Sequence, residues 1–268
     1  MLSPPDDWGN CSFGVDPGFG ADLWRKSRVR IAHINPAMPR TPGDAGIPFS
    51  ELTAWFEAEQ PLLAAPSVAI DDTSRQIASH AVQFIGDGAT IQTGLGKLPD
   101  AVLDMLHDRR NLRIHTGLAG DGVGRLLHSG ALADGKSALV GCAIGGRQLY
   151  DEACDPRFNF RPVSNTHNPA LLAQIERLVT INSVMSVDLF GQGFAEALGQ
   201  AFVSGPGGAS DFARGARAAQ GGCGSWCCLR RAKGKAASSP PAAGTARCPF
   251  RASILMWWSL SMARPIFG

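Results

Sequence analysis

Nowhere in the 268 residues is there a run of the ~20 consecutive apolar side chains that a bilayer-spanning helix requires. The N-terminus carries Pro4, Pro5, Asp6 and Asp7 and lacks the charged start and apolar stretch of a secretory leader. Cysteine is scarce before residue 223. Cys11, Cys142 and Cys154 are irregularly spaced, which fits buried thiols in a reducing, cytoplasmic setting and excludes a disulfide framework there. From residue 223 to 268 there is no Asp or Glu, while Arg230, Arg231, Lys233, Lys235, Arg247, Arg251 and Arg264 supply seven positive charges. The chain's formal charge of +2 is therefore a −5 body, with 18 basic and 23 acidic residues, carrying a +7 tail. Cys223, Cys227, Cys228 and Cys248 in that tail lack two separated Cys-x-x-Cys pairs and a neighbouring histidine, so the spacing of a zinc site is missing. A basic, aromatic-containing tail has the charge of a nucleic-acid or acidic-membrane binder, but nothing beyond charge supports either partner. The expectation is no metal, no nucleic acid and no membrane.

What is present is an apolar fraction of 44%, enough for a sizeable core in residues 1–222. Strand-like runs at 89–93, 112–116, 138–143, 158–163 and 178–181 alternate with helix-like runs at 100–107, 122–128 and 169–177. That order predicts an α/β fold, an open and largely parallel sheet layered with helices. Pro61 and Pro66 punctuate a boundary, after which Asp71-Asp72-Thr73 can cap a helix whose buried face is Ile77, Ala78, Ala81, Val82 and Ile85. The expected division is 1–70, 71–222 and the tail 223–268.

Gly88-Ala89-Thr90-Ile91-Gln92-Thr93 alternates as a strand does, and Asp100-Ala101-Val102-Leu103-Asp104-Met105-Leu106 repeats its apolar residues at helical spacing. Between them, Gln92-Thr93-Gly94-Leu95-Gly96-Lys97-Leu98-Pro99 turns from strand into helix on glycine, where backbone N–H groups can meet a phosphate or an acyl oxygen. Such a turn is most often only a tight connection. Here it is followed in order by Ile114-His115-Thr116-Gly117-Leu118-Ala119-Gly120-Asp121-Gly122-Val123, Arg147-Gln148-Leu149-Tyr150-Asp151 and Arg161-Pro162-Val163. Ile181-Asn182-Ser183, Val187-Asp188-Leu189-Phe190-Gly191-Gln192 and Ser204-Gly205-Pro206-Gly207-Gly208-Ala209-Ser210-Asp211-Phe212 come next. Ser3-Pro4-Pro5-Asp6, Cys11-Ser12-Phe13-Gly14 and Asn35-Pro36-Ala37-Met38-Pro39-Arg40 precede it. The colinear set resembles the acetyl-CoA hydrolase/4-hydroxybutyrate CoA-transferase family, a branch of the class I CoA-transferases, over roughly the first four fifths of the chain.

The resemblance implies a CoA-transferase-like fold in an incomplete two-domain arrangement, residues 1–70 ending the first domain and 71–222 starting the second. It implies coenzyme A or acyl-CoA as substrate, a short carboxylate such as acetate, butyrate or 4-hydroxybutyrate as partner, no tightly bound cofactor, and allows a homodimer in the intact family member. By motif match, Gln92, Thr93, Gly94, Leu95 and Gly96 line the CoA or acyl site, with Ser186 near it. Gly205, Gly207 and Gly208 form a second backbone loop whose turn Asp211 closes, and Pro206 stands where the family usually has Val or Ser.

The family's chemistry uses a glutamate that attacks acyl-CoA and then carries CoA as a glutamyl thioester, splitting one hard exchange into two easier ones. Backbone N–H groups of glycine-rich loops stabilise the oxyanion. The resemblance places that glutamate at Gly117, which offers no nucleophile, so no residue is assigned as catalytic. Asp121 reads as a helix cap, His115 as a packed and hydrogen-bonded histidine, Glu152 and Glu176 as exposed helical residues, and Lys97 as solvated. The reading of an acyl-CoA hydrolase or CoA-transferase therefore stands beside that of a noncatalytic fragment with at most residual CoA binding.

The tail has its own expectation. Met256-Trp257-Trp258-Ser259 can be written ATG TGG TGG TCN, and reading from the third base then gives Val-Val-Val. With permitted codons the shifted frame continues Thr-Glu-Tyr-Gly, a run similar to the family's later C-terminal region. A frameshift near Gly221-Gly222-Cys223, with a disordered tail beyond it, accounts for the composition change. Ser-Pro-Pro-Asp comes late in the family's first domain, so truncation at the N-terminal side is expected too.

Overall fold

The computed structural model describes residues 1–65, 69–187, 193–198, 201–202, 204–205, 207–228 and 254–258. Residues up to 58 build two small strand pairs. β1 (Asn10–Cys11), α1 (Gly20–Leu23), β2 (Ile31–Ile34), β3 (Ile47–Pro48) and β4 (Ala54–Glu57) follow one another, with β1 antiparallel to β3 and β2 parallel to β4. Leu2, Cys11, Phe13, Ala32, Ile34 and Ile47 close over one another as a separate apolar cluster. Backbone bonds tie the intervening loops to the large sheet. The amide of Ala143 donates to the carbonyl of Val15 at 2.8 Å and that of Phe160 to Pro42 at 2.7 Å.

Asp71 opens α2 (Asp72–Ala81), its carboxylate accepting the Ser74 N–H at 2.8 Å, the cap expected of Asp71-Asp72-Thr73. Ile77, Ala78, Ala81 and Ile85 are buried on the expected face and Val82 lies at its margin. Then β5 (Thr90–Thr93), α3 (Lys97–Asp104), β6 (Arg113–Ala119), α4 (Asp121–His128), β7 (Ala138–Ala143), α5 (Arg147–Asp151) and β8 (Phe158–Phe160) alternate. After α6 (Val163–Thr166) and α7 (Pro169–Leu172) comes β9 (Leu178–Val184). The hairpins β10 (Ser186–Val187) with β11 (Gly193–Phe194) and β12 (Ala197–Leu198) with β13 (Ala201–Phe202) lead to α8 (Ala209–Ala218), β14 (Cys223–Cys228) and β15 (Ile254–Trp258).

The sheet runs β15-β14-β9-β5-β6-β7-β8, and all but β15 are parallel, giving the mixed α/β architecture with a largely parallel sheet that the alternation predicts. Ile91, Ile114, Val140, Phe158, Phe160, Val179 and Ile181 are buried within it, as strands covered on both faces require. The chain steps outward from β5 to β8 on one side, returns to place β9 on the other side of β5, and continues outward to β14. The loops leaving the C-terminal ends of β5 and β9 therefore diverge, and that divergence opens the crevice where open α/β sheets hold ligands.

Several boundaries depart from the periodicity. The strand expected over 158–163 stops at Phe160 because Pro162, extended at φ −65° and ψ 169°, starts α6. The helix expected over 169–177 ends at Leu172, and Arg177 turns left-handed at φ 52° so that its N–H reaches Gln220 while its carbonyl receives Thr90. Residues 223–228, part of the tail by composition, form β14 beside β9. Residues 229–253 and 259–268 of that tail, together with Pro66, Asp188, Leu189, Phe190, Gly191, Gln192 and Pro206 of the motifs, lie outside the described residues.

Candidate functional site at the ends of the central strands

Gly94, Leu95 and Gly96 connect β5 to α3 at the crevice. Gly96 sits at φ 115° and ψ −178°, a conformation that only glycine adopts without strain, and this sets the N-terminus of α3 three residues before the periodicity alone predicts. A Cβ added at either Gly94 or Gly96 would meet nothing within 4 Å, so the loop faces open space. The Leu95 side chain, 37% exposed, lies over Gly120. Gln92 and Thr93 lie beneath the loop, each 3% exposed. The Gln92 amide exchanges bonds of 3.3 and 3.1 Å with Asn182 on β9, and the Thr93 carbonyl accepts the Thr116 hydroxyl at 2.6 Å. These pairs lock β5 to both neighbours and hold the loop at the strand end.

The second glycine segment comes after β9 and its hairpins. Gly205 and Gly207 also have nothing within 4 Å of an added Cβ, Gly207 has φ 56°, and Gly208 is the N-cap of α8. Asp211, expected to close this turn, donates its amide to the Gly208 carbonyl at 3.1 Å and places its carboxylate 4.0 Å from Arg214. Ser186 is the first residue of β10, in register with Phe194.

Between the two segments lies a cluster assembled by strand alternation. Side chains on β6 point to opposite faces in turn, so His115 and Gly117 share the face covered by α6 and α8. His115 is 7% exposed, its Nε2 is 3.1 Å from the Thr166 carbonyl, and its ring meets Phe212 edge-on at 6.5 Å. His167, the residue that ends α6, lays its ring against Phe212 at 4.7 Å and holds its Nδ1 2.7 Å from the Thr166 hydroxyl. A Cβ at Gly117 would stand 2.6 Å from His167 Cε1 and 2.7 Å from Nε2, and one at Gly208 would overlap the same ring. The imidazole thus occupies the room a side chain at 117 would need.

Burial pushes the His115 imidazole below the ordinary histidine range, the Thr166 carbonyl opposes this and the charge of His167 adds to it. His167 is lowered by burial too, with Asp211 opposing. Both rings are accordingly neutral at pH 7. Burial also raises the Asp100 carboxyl on α3, whose remaining interactions include the Gly122 N–H. The thiols are poor nucleophiles here, with burial pushing Cys142 up to about 12 and Cys223 up to about 11.

Other residues singled out by the motifs have structural partners. The Asp121 carboxylate does not cap its own helix. It accepts the Gly146 N–H at 2.8 Å and Gly120 is the N-cap, because the β7–α5 turn comes close enough to compete. Glu152 ends α5 half-buried, 2.9 Å from His128 and bonded by Gln148, instead of standing exposed on a helix. Glu176 is exposed but lies in the turn before β9. Lys97 is not simply solvated, since its ammonium reaches Asp71 at 3.2 Å across the α2–α3 contact. The sequence reading missed His167, Thr166 and Phe212. A local sign existed in Asn168-Pro169, a helix start with Asn168 accepting the Ala170 N–H, but it marks only a boundary.

Among the described residues no helix is long and apolar enough to cross a membrane, and no three His, Cys, Asp or Glu side chains cluster as metal ligands. Residues 145–240 match the family model for the acetyl-CoA hydrolase/transferase C-terminal domain. The chain is 36% identical over 229 residues to a 4-hydroxybutyrate coenzyme A transferase of Clostridium kluyveri, covering 83% of this chain and 53% of that protein. Its fold is similar to RipA from Yersinia pestis, with a TM-score of 0.76 and 32% identity over 83% of this chain and 52% of that one. A 4-hydroxybutyrate CoA-transferase from Porphyromonas gingivalis gives a TM-score of 0.74 and 31% identity over 83% and 55%. The chain thus spans about half the length of the curated relatives it matches. Sequence, family model and fold agree, and the chain belongs to the acetyl-CoA hydrolase/4-hydroxybutyrate CoA-transferase family.

Proposed function

We propose that this chain binds coenzyme A thioesters of short carboxylic acids at the crevice between the Gly94–Gly96 and Gly205–Gly208 loops, and that it contributes the CoA-handling part of an acyl-CoA hydrolase or CoA-transferase. The observation that carries this reading is the pair of glycine segments facing open space at the diverging ends of β5 and β9, where backbone can approach a pantetheine, phosphate or acyl oxygen closely. Relatives named for 4-hydroxybutyrate transfer support a substrate of that size. CoA is then a substrate and not a resident cofactor, and a cytoplasmic placement goes with the reading.

The geometry provides a test that separates ligand binding from folding. Gly94 and Gly205 need no left-handed backbone and have no neighbour within 4 Å. Gly94→Phe and Gly205→Phe therefore keep the unfolding temperature of the parent while weakening CoA binding at least ~10-fold, about 1.4 kcal/mol, in calorimetric titrations. Unchanged CoA affinity in both variants sinks the assignment of the crevice.

A second reading, a noncatalytic CoA binder, is favoured by Gly117 itself. The position that the motif match gives to the family's glutamate carries no carboxylate, and the nearest atoms around it belong to His167 and Phe212. CoA binding without thiol release from acetyl-CoA or butyryl-CoA would select this reading.

A further inference from the structure

His167 has the features of a base held ready for use. The bond between its Nδ1 and the Thr166 hydroxyl is 2.7 Å, and the same hydroxyl lies 3.4 Å from the Pro162 carbonyl, which can only accept. A Thr166 hydroxyl that donates to Pro162 accepts from Nδ1–H, and in that tautomer the lone pair lies on Nε2. Among the described residues Nε2 has no hydrogen-bond partner, and the His167 residue as a whole is half-buried. It stands between Gly117 and Gly208, where the absence of two side chains brings backbone from β6 and the N-terminus of α8 against the ring. Phe212 fixes the ring plane from one side.

We propose that His167 is the general base of a direct thioester hydrolysis in this crevice, a role that rests on the CoA-thioester reading above. Nε2 removes a proton from water as its oxygen bonds to the thioester carbonyl carbon, and the carbonyl π pair moves onto oxygen. Collapse of that oxyanion breaks the C–S bond. The leaving thiolate takes the proton from Nε2 to give free CoA thiol, and the carboxylic acid loses its own proton to solvent. Water is the only co-reactant, the imidazole returns to its starting form, and no carboxylate at position 117 is needed. The charged and titratable groups facing the ring are His115 on β6 and Asp211 on α8. Burial disfavours imidazolium at His167 and Asp211 favours it.

The test uses the full chain, its His167→Gln variant and His80→Gln as an exposed control on α2. Three quantities are measured: CoA affinity by calorimetry, thiol release from acetyl-CoA and butyryl-CoA between pH 5 and 8, and the His167 ring titration by NMR. The expected result is a loss of kcat of ~100-fold or more in His167→Gln, with CoA affinity unchanged and the control at parent rates. The acidic limb of the parent's kcat profile should coincide with the His167 titration, a readout that does not depend on the variant folding. Parent-like thiol release by a folded His167→Gln protein overturns the proposal, as does a kcat profile that ignores the His167 titration. A parent that binds CoA but releases no thiol also overturns it while leaving the binding reading intact. A parent that binds no CoA removes the binding reading itself.

Discussion

At the scale of single residues, the contact between Gly117 and His167 decides how the site differs from what its motifs suggest. An added Cβ at 117 meets a ring that is held by Thr166 on one edge and by the tilted ring of Phe212, so the ring cannot move aside without losing both. Gly117→Ala is expected to destabilise the chain by ~1–3 kcal/mol, the usual cost of overpacking. The Gly117→Ala/His167→Ala pair should cost measurably less than the sum of its single changes, a coupling that urea denaturation of the four proteins measures. The two histidines also set a pH dependence. Both have folded values below the ordinary ~6.5 of an unfolded chain, so between those values the unfolded state binds more protons. The stability they contribute is complete above about pH 6.5 and is lost as pH falls through their folded values. The slope of stability against pH in that window should shrink in His115→Gln, and an identical slope would show that His115 does not titrate on unfolding. His115 was legible as a packed, hydrogen-bonded residue because it falls in an apolar alternating run. His167 was not, since its neighbour Gly117 is 50 residues away in sequence and only folding brings them together.

At the scale of elements, glycine conformation and strand alternation set the site. Gly96 at φ 115° turns the chain out of β5 and into α3, and Gly96→Ala should cost ~1–3 kcal/mol through backbone strain alone, read as a drop in unfolding temperature. Gly94→Ala, at a position without that strain, serves as its control and should change stability little. The existence and type of β5, β6, β7, α3 and α4 were readable from period 2 and period 3.6. Their ends were less so. Pro162, with no N–H to donate, shortened the strand before it and caps α6, and the left-handed Arg177 cut the helix before it as its backbone bonds Gln220 and Thr90. Asp121 illustrates the same competition, with its carboxylate drawn to the Gly146 N–H and away from its own helix.

At the scale of the whole molecule, the return of the chain from β8 to β9 creates the crevice, and β14 protects the edge that this return produces. Through six residues, β14 pairs in parallel with β9 and covers Val179 and Ile181, both buried. Truncation after Gly222 leaves β9 as an exposed edge of a parallel sheet, an aggregation template. Such a protein should lose amide exchange protection along β9 and show larger particles in light scattering, whereas truncation after Cys228 should retain more of that protection. Equal behaviour of the two truncations would mean that β14 is not integral to the sheet.

The sequence by itself determined the α/β class, the parallel sheet, the cap at Asp71, the glycine turns and the family, because each rests on local periodicity or on an ordered set of short motifs. Only the tertiary structure decided which residues surround Gly117. Strand alternation puts His115 and Gly117 on one face, but the elements that cover this face, α6 and α8, depend on how the sheet is ordered. Contacts among β6, α6 and α8 arise from long-range packing that no window of neighbouring residues encodes, and these contacts bring an imidazole to the place where the motif match expected a carboxylate.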